Sequence, residues 1–389
     1  MIASHSMTLS APPSARAPGP DLLRAVAIAW IMLYHLESHG LRLPGRLIAY
    51  GWMGVDLFFV LSGYLIGWQL LRPWALGTPP AWRPWWTQFM LRRALRILPA
   101  YGTVLALYVL LPASREAELM RPLWQFLTFT INVLPGAPEA RAFSHAWSLC
   151  VEEHFYLLLP PVAWWLARRP AAGKTVAAAL GVLLGGMLLR AWLWRQELAP
   201  LQGQGAYVGR FIALIYMPSA VRLDGLLMGV MLAVVRGFRP AWWAALMARG
   251  TLLLGAGMAG LALAMWLLRG VPDFAGIVFG YPLLSCSLAC VLAGCLSEQS
   301  WPGRWRVPGA AALATLAFSL YLTHKQVYHA LDAYLGDALG GSPVLVFCLY
   351  NGAALLAAAA LYWLVERPGL RLRTRLLAPV PGQGLQPSA

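Results

Sequence analysis

The sequence predicts an all-α protein: a polytopic membrane helix bundle of about ten transmembrane helices with both termini cytoplasmic. Three observations predict it. Of 389 residues, 59% are hydrophobic and only 12% charged, about half the charged share of a soluble domain. Mean hydropathy is +0.61, and apolar runs near twenty residues recur along the chain, each long enough to cross ~30 Å of hydrocarbon. Lys and Arg sort by loop, which sets orientation.

The spans fall at about 22–39, 51–71, 97–113, 147–166, 175–194, 211–235, 250–268, 276–296, 310–329 and 343–365. With a cytoplasmic N-terminus the inner segments carry 18 Lys and Arg and the outer segments 8. The run 122–134 is apolar but short. Counting it as a span would put Arg168, Arg169 and Lys174 outside and weaken the asymmetry, so it is expected to be an interfacial or re-entrant piece. The net charge of +15 is therefore read as topology. The arginines flank apolar segments and no zinc-finger spacing occurs, so no nucleic-acid partner is expected; the bilayer is the partner that composition demands.

Residues 1–20 are rich in Pro, Ser and Ala and read as a disordered tail without a cleavable signal pattern. The last residues, about 379–389, are Pro-, Gly- and Gln-rich. All five cysteines (Cys150, Cys286, Cys290, Cys295 and Cys348) lie in apolar runs without a CxxC and read as packing residues.

The first span carries Arg24 and His35. Eleven positions are about three turns, so both sit on one helix face, roughly 16–17 Å apart along the axis. Ionisable residues inside a span are costly and mark functional sites by default. His35 and His39 share a face at i, i+4, but no further ligand lies at short spacing, so no metal is expected.

The second span begins GWMGVDLFFVLSGYLIG. Its glycines allow close helix approach. Asp56 either pairs with a buried arginine, Arg222 being a candidate, or takes part in chemistry. The inner segment 72–96 places Trp74, Trp82, Trp85 and Trp86 before Arg92, Arg93 and Arg96. This is either an interfacial anchor or an anion site, since three guanidiniums within two turns can clamp phosphates.

The fourth span begins WSLCVEEHFY, with Glu152, Glu153 and His154 pointing to different faces. Glu152 lies at about the depth of His35, so the two could meet as a general base with its orienting partner, or as a buried polar pair that only holds helices together. In the sixth span Arg222 and Asp224 precede a small-residue face at Gly225 and Gly229. The ninth places Tyr321, His324 and Lys325 in or at the edge of apolar sequence. Glu366, Arg367 and Pro368 are expected to close the last helix at the surface, as a cap or surface ion pair. Neither a P-loop nor a nucleophile elbow occurs.

Taken in order, these residues resemble the acyltransferase-3 family of integral membrane acyltransferases over roughly residues 21–370. Arg24 and His35 fit its Arg-x10-His, and GVDLFFVLSGYLI at 54–66, which contains Ser62, its second-span signature. Arg93 and Arg96 fit its Arg-x-x-Arg, and WSLCVEEHFY at 147–156 its fourth-span signature with His154 in place of Gln. Arg222 with Asp224, YLTH at 321–324, and Glu366 with Pro368 fit the weaker later signatures. The resemblance implies a membrane acyltransferase domain over 21–370, followed by a cytoplasmic tail at 371–389.

It also implies a bacterial cytoplasmic (inner) membrane location. Acyl-CoA, most often acetyl-CoA, would be the co-substrate, with no permanently bound cofactor. The acceptor would be a hydroxyl of a cell-surface polysaccharide, O-antigen or glycolipid, with polysaccharide-assembly proteins as further partners. Catalysis would rest on His35 and Glu152, and acyl-CoA binding on Arg24, Arg93 and Arg96. Asp56, Ser62, Glu153, Arg222, Asp224, Tyr321 and His324 would be supporting polar residues. A macrolide-like acceptor, an ion-coupled transporter or flippase, and a non-catalytic scaffold are the competing readings.

Overall fold

In the computed structural model, residues 18–37, 47–134, 136–137, 139–168, 171–335 and 342–377 are described. The expected tails at 1–17 and 378–389, and His39, lie outside them. The described chain is helical throughout apart from loops and one isolated bridge between Met120 and Ala142. The helices are α1 (Pro18–Leu36), α2 (Met53–Ala75), α3 (Trp82–Leu110), α4 (Leu123–Leu127), α5 (Trp147–Arg168), α6 (Ala172–Leu193), α7 (Ala206–Phe211), α8 (Asp224–Phe238), α9 (Pro240–Met247), α10 (Gly250–Leu267), α11 (Tyr281–Leu296), α12 (Trp301–Arg304), α13 (Ala310–Leu335), α14 (Pro343–Leu361) and α15 (Arg367–Leu376).

Six helical stretches among the described residues are long and apolar enough to cross a membrane: Met53–Ala75, Trp82–Leu110, Ala172–Leu201, Gly250–Leu267, Gly276–Leu296 and Pro343–Leu376. Helices α1, α5 and α13 have comparable length, 19, 22 and 26 residues, but carry the ionisable side chains. The protein is thus a membrane-embedded, multi-pass helix bundle.

Burial sorts the helices into layers. The apolar windows of α2 and α11 are each 72% buried, against 11% in the stretch led by α6. So α2 and α11 form the centre, while α6, α10 and α14 present leucines such as Leu188 and Leu356 outward, as a bilayer-facing surface should. Two apolar cores share α1 and α2: one reaches α3, α5, α13 and α14, the other α10 and α11. The tightest crossing is α2 on α8. A Cβ on Gly63 would collide with the Leu226 carbonyl, and one on Gly229 with the Val60 carbonyl. Small residues let these backbones touch.

Of three places to compare with the sequence expectation, two depart from it, and the second, the short run 122–134, is in keeping with a piece that does not span. First, the expected span 211–235 is interrupted. Ile212–Tyr216 is a π-helical turn, and Ser219–Val221 a short 3-10 turn after Pro218, before α8 starts. Proline removes a backbone donor and disfavours helix in the residue before it.

Second, the run 122–134 holds only the five residues of α4 as α-helix and then turns. Asn132 Nδ2 donates to the Met217 carbonyl at 3.1 Å and to Ser219 Oγ at 2.9 Å. This piece therefore satisfies backbone that the interruption frees.

Third, Glu366 does not close the last helix at a surface. It is 3% exposed and accepts from Ser319 Oγ at 2.7 Å. The chain passes through a π-helical turn at Tyr362–Glu366 and continues as α15. Residues 371–377, expected as tail, are therefore mostly helix. Pro368, which lacks an N–H to donate, falls directly after the π-helical turn, where the helix is already widened.

Candidate active site

One cavity of about 750 Å³ lies among α1, α2, α3, α5, α13 and α15. Along α2 it runs from Val55 to Gln69, ~21 Å of helix. At the end of the bundle where α1 begins, its wall is basic: Arg24, Arg92, Arg93, Arg96 and Arg373. Midway along α2 lie Ser62 and Glu152, and Ser148 and Tyr321 lie beyond them. Five guanidiniums against the single carboxylate of Glu152 make this a cavity for an anion.

The helices explain the placement. Arg92 and Arg96 are one turn apart on α3, with Arg93 beside them. Arg93 is 8% exposed, and its guanidinium lies 3.9 Å from the Tyr156 ring centroid, a cation–π contact that holds the fork in place. Its Nε is buried without a hydrogen-bond partner among the described residues. Arg24 binds Asp21, one turn earlier on α1, at 2.8 Å, so its guanidinium stays near the start of that helix. Arg373 and Thr374 enter the cavity wall because α15 continues past Glu366 and lies against α3. On α5, Glu152 accepts from Ser62 Oγ of α2 at 2.8 Å. Glu153 keeps Oε1 buried without such a partner among the described residues. His154 Nδ1 lies 2.7 Å from Ser219 Oγ. With Asn132 donating to that oxygen, Ser219 is free to donate to His154.

His35 stands in the last turn of α1, at the opposite end from Arg24. Its ring is 5.2 Å from that of His324 on α13, centroid to centroid. His324 in turn is 5.5 Å from His145 and 6.1 Å from Tyr321. Tyr321 both lines the cavity and bonds beyond it: its hydroxyl lies 2.6 Å from Ser148 Oγ and donates to the His145 carbonyl at 2.8 Å. Tyr321 and His324, three residues apart on α13, thus connect the cavity to His35. The structure brings Arg24, Arg93, Arg96, Ser62, Glu152 and Tyr321 to one cavity. It gives His35 a histidine neighbour on α13, while the hydrogen bond of Glu152 goes to Ser62.

His145 belongs to a loop cluster that sequence reasoning missed. Glu116 Oε1 is 3.2 Å from Lys325 Nζ and 3.8 Å from His145 Nδ1, and it accepts from the Phe143 amide at 3.1 Å. Phe143 has φ 56°, a left-handed conformation that is rare for an aromatic residue. Stacking on Tyr108 at 4.5 Å holds it there, and the bend delivers His145 into the bundle. Burial pushes the His145 pKa well below its ordinary value, and the Lys325 ammonium and the neighbouring His324 and His35 push it the same way. The imidazole is therefore neutral, and its Nε2 donates to the Leu322 carbonyl at 3.2 Å.

Two buried ion pairs fasten the helices behind the cavity. Arg222 Nη2 donates to both oxygens of Asp56, at 2.8 and 3.0 Å; the candidate partner named from sequence is the partner found. Asp224 accepts from Arg190 Nη1 at 2.6 Å and Nη2 at 3.3 Å. Arg190, near the end of α6, is at 0% exposure; its place in a long apolar run is the sequence signal of a buried charge. Among the described residues no group of three or more metal-ligating side chains converges.

Comparison with known proteins identifies the family. A family model described as an acyltransferase domain matches residues 18–363. A Staphylococcus aureus (strain COL) protein whose name proposes an O-acetyltransferase is 24% identical over 377 residues, covering 90% of this chain and 57% of that protein. The O-acetyltransferase OatA of Staphylococcus aureus (strain NCTC 8325 / PS 47) is 23% identical over the same coverage. The peptidoglycan O-acetyltransferase OatA of Listeria monocytogenes serovar 1/2a (strain ATCC BAA-679 / EGD-e) is 30% identical over 156 residues, 37% of this chain and 23% of that protein. The chain thus spans little more than half the length of the first of these curated relatives. No solved structure matches. With a family model matched from α1 through α14, the chain belongs to the acyltransferase-3 family.

Proposed function

We propose that this protein moves an acyl group, most simply acetyl, from cytoplasmic acyl-CoA to a hydroxyl of a carbohydrate acceptor in the bacterial cytoplasmic membrane. The observation that carries this reading is the cavity: basic at one end, polar and histidine-linked at the other, and ~21 Å long along α2. The phosphates of acyl-CoA suit the arginine end, where Arg93 and Arg96 supply planar donor forks. An extended pantetheine arm, about four to five residue-lengths of chain and so on the order of 15 Å, would carry the thioester past Glu152 to Tyr321. The arginine end then faces the cytoplasm, as the positive-inside bias of the loops requires.

His35 acts as general base. It takes the proton of the acceptor hydroxyl, the oxygen attacks the thioester carbonyl, the carbon–sulfur bond breaks, and the leaving thiolate takes up that proton as free CoA. Glu152 serves from the cavity side, its carboxylate held by Ser62 at 2.8 Å beside the path of the thioester. The acceptor approaches from the His35 end, the outer face in this orientation. A cell-surface or lipid-linked glycan fits that approach, and the peptidoglycan named for the Listeria relative is one member of the class.

The test is kinetic. Arg93→Gln and Arg96→Gln should raise the apparent KM for acetyl-CoA about tenfold or more each, since a charged hydrogen bond is worth ~1.5–3 kcal/mol, while kcat changes little. An unchanged KM would mean that the cluster only sets topology.

A further inference from the structure

We propose that Arg373 on α15, with Arg92 beside it on α3, binds the 3′-phosphate of the CoA donor and so selects acyl-CoA over thioesters that lack that phosphate. This deepens the acyl-transfer reading above and rests on it. Arg373 falls in the stretch expected from sequence to be a tail. It reaches the cavity because the chain turns inward at Glu366 and continues as a helix.

Two contacts set α15 in place. Glu366, just before it, accepts from Ser319 Oγ of α13 at 2.7 Å. Gly369 then lies against α3: a Cβ there would stand 2.9 Å from the Leu95 carbonyl oxygen. Arg373 follows one turn later on the same face. It lines the cavity with Arg92 and Arg93, whose charges act on it. The charges around Arg96 are instead those of Arg93, Glu366 and Arg24, and Arg93 and Arg96 are the arginines that act on Glu152. The basic wall therefore has two levels. The inner one, around Arg96, lies nearer Glu152. The outer one, of Arg92 and Arg373, stands about one helical turn, ~5.4 Å, further back.

Acyl-CoA carries its charges in the same order. The diphosphate joins the pantetheine arm directly, and the 3′-phosphate stands one ribose ring beyond it. The diphosphate suits the inner level and the 3′-phosphate the outer one. A phosphate monoester carries about −1.5 to −2 at pH 7 and three acceptor oxygens, and guanidinium forks from two helices can clamp it. Among the described residues that line the cavity Glu152 is the one acid, and neither 1–17 nor 378–389 contains an Asp or Glu. Arg92 and Arg373 repel each other. A phosphate between them turns that repulsion into attraction, which a diphosphate held at the inner level does not.

The full-length protein in lipid vesicles, assayed with acetyl-CoA and with acetyl-3′-dephospho-CoA, tests this through kcat, KM and melting temperature. In wild type the dephospho ester should show a KM at least about tenfold higher at similar kcat. Arg373→Gln should raise the KM for acetyl-CoA by the same order and leave that for the dephospho ester within about twofold, so the variant no longer tells the two apart. Arg96→Gln should raise both. Arg375→Gln, at an exposed position that does not line the cavity, should change neither. Equal KM values for the two esters in wild type overturn the inference. So does an Arg373→Gln protein that loses affinity for both alike, since a structural role does not sense one phosphate. If Arg373→Gln fails to fold, Arg92→Gln is read in the same way and decides. A wild-type protein that consumes neither ester would instead overturn the acyl-transfer reading, and this inference with it.

Discussion

Breaking the Asp56–Arg222 pair on one side should be far worse than removing both partners. Asp56 is 3% exposed and Arg222 2%. The guanidinium sits 4.4 Å from the Tyr281 ring and 5.0 Å from Tyr216, so no water replaces a lost partner. Asp224 does not rescue Arg222 by substitution, because Arg190 binds it through two nitrogens. Leaving one buried charge uncompensated costs about 3–5 kcal/mol, whereas replacing both charges with apolar side chains of similar volume is often near neutral. Arg222→Met and Asp56→Leu should therefore each destabilise by about 3–5 kcal/mol, and the double variant by ~2 kcal/mol or less. The coupling energy would then be at least ~4 kcal/mol. Denaturant unfolding of the detergent-solubilised protein, followed by tryptophan fluorescence, measures all four corners of the cycle. Acyl transfer should return with stability in the double variant, because the pair holds α2 against the interruption before α8 and neither residue lines the cavity. Additive losses would refute the reasoning, since they would show two charges with independent partners.

Two further outcomes follow from the packing and the loop cluster. Gly63→Leu should abolish accumulation of folded protein, because a side chain there meets the Leu226 backbone and helices in close contact cannot move apart cheaply; size-exclusion of the solubilised variant checks this. His145 has a folded pKa well below its unfolded value of ~6.5, so the folded state binds fewer protons. Its contribution is present above about pH 6.5 and is lost as pH falls below that value. The melting temperature of wild type should therefore drop faster between pH 7 and 5 than that of His145→Asn, and parallel curves would contradict the assignment.

Much of the fold was legible because a bilayer imposes length and polarity on every helix. The polar positions of the first four spans stood out for the same reason, and Arg24, Arg93, Arg96, Ser62 and Glu152 do line one cavity. What stayed hidden is non-local or averaged away. The break at 217–223 is masked because Ile212–Tyr216 and α8 are both apolar. Pro218 and the buried charges at Arg222 and Asp224 were its signal. Glu116 looked like one acid among several in an outer loop, yet it meets Lys325, more than two hundred residues further along the chain, and His145 beside it. Glu366 looked like a surface stop because Arg367 and Pro368 follow it, but a π-helical turn folds it inward to Ser319. From sequence His35 and Glu152 are expected at about one depth. The structure sets Glu152 against Ser62 in the middle of α2 and His35 in the last turn of α1, level with the start of α2. The shift and rotation of packed helices are set by contacts that a count of residues does not carry.

Transfer of labelled acetyl from acetyl-CoA by purified protein in vesicles, wild type beside His35→Gln, decides whether the basic cavity and the histidine at its far end make one active site. The expected result is ester formation matched by free CoA in wild type, and a loss of at least about a hundredfold in kcat for His35→Gln with unchanged folding and acetyl-CoA binding. A His35→Gln protein that turns over acetyl-CoA at the wild-type rate would contradict it.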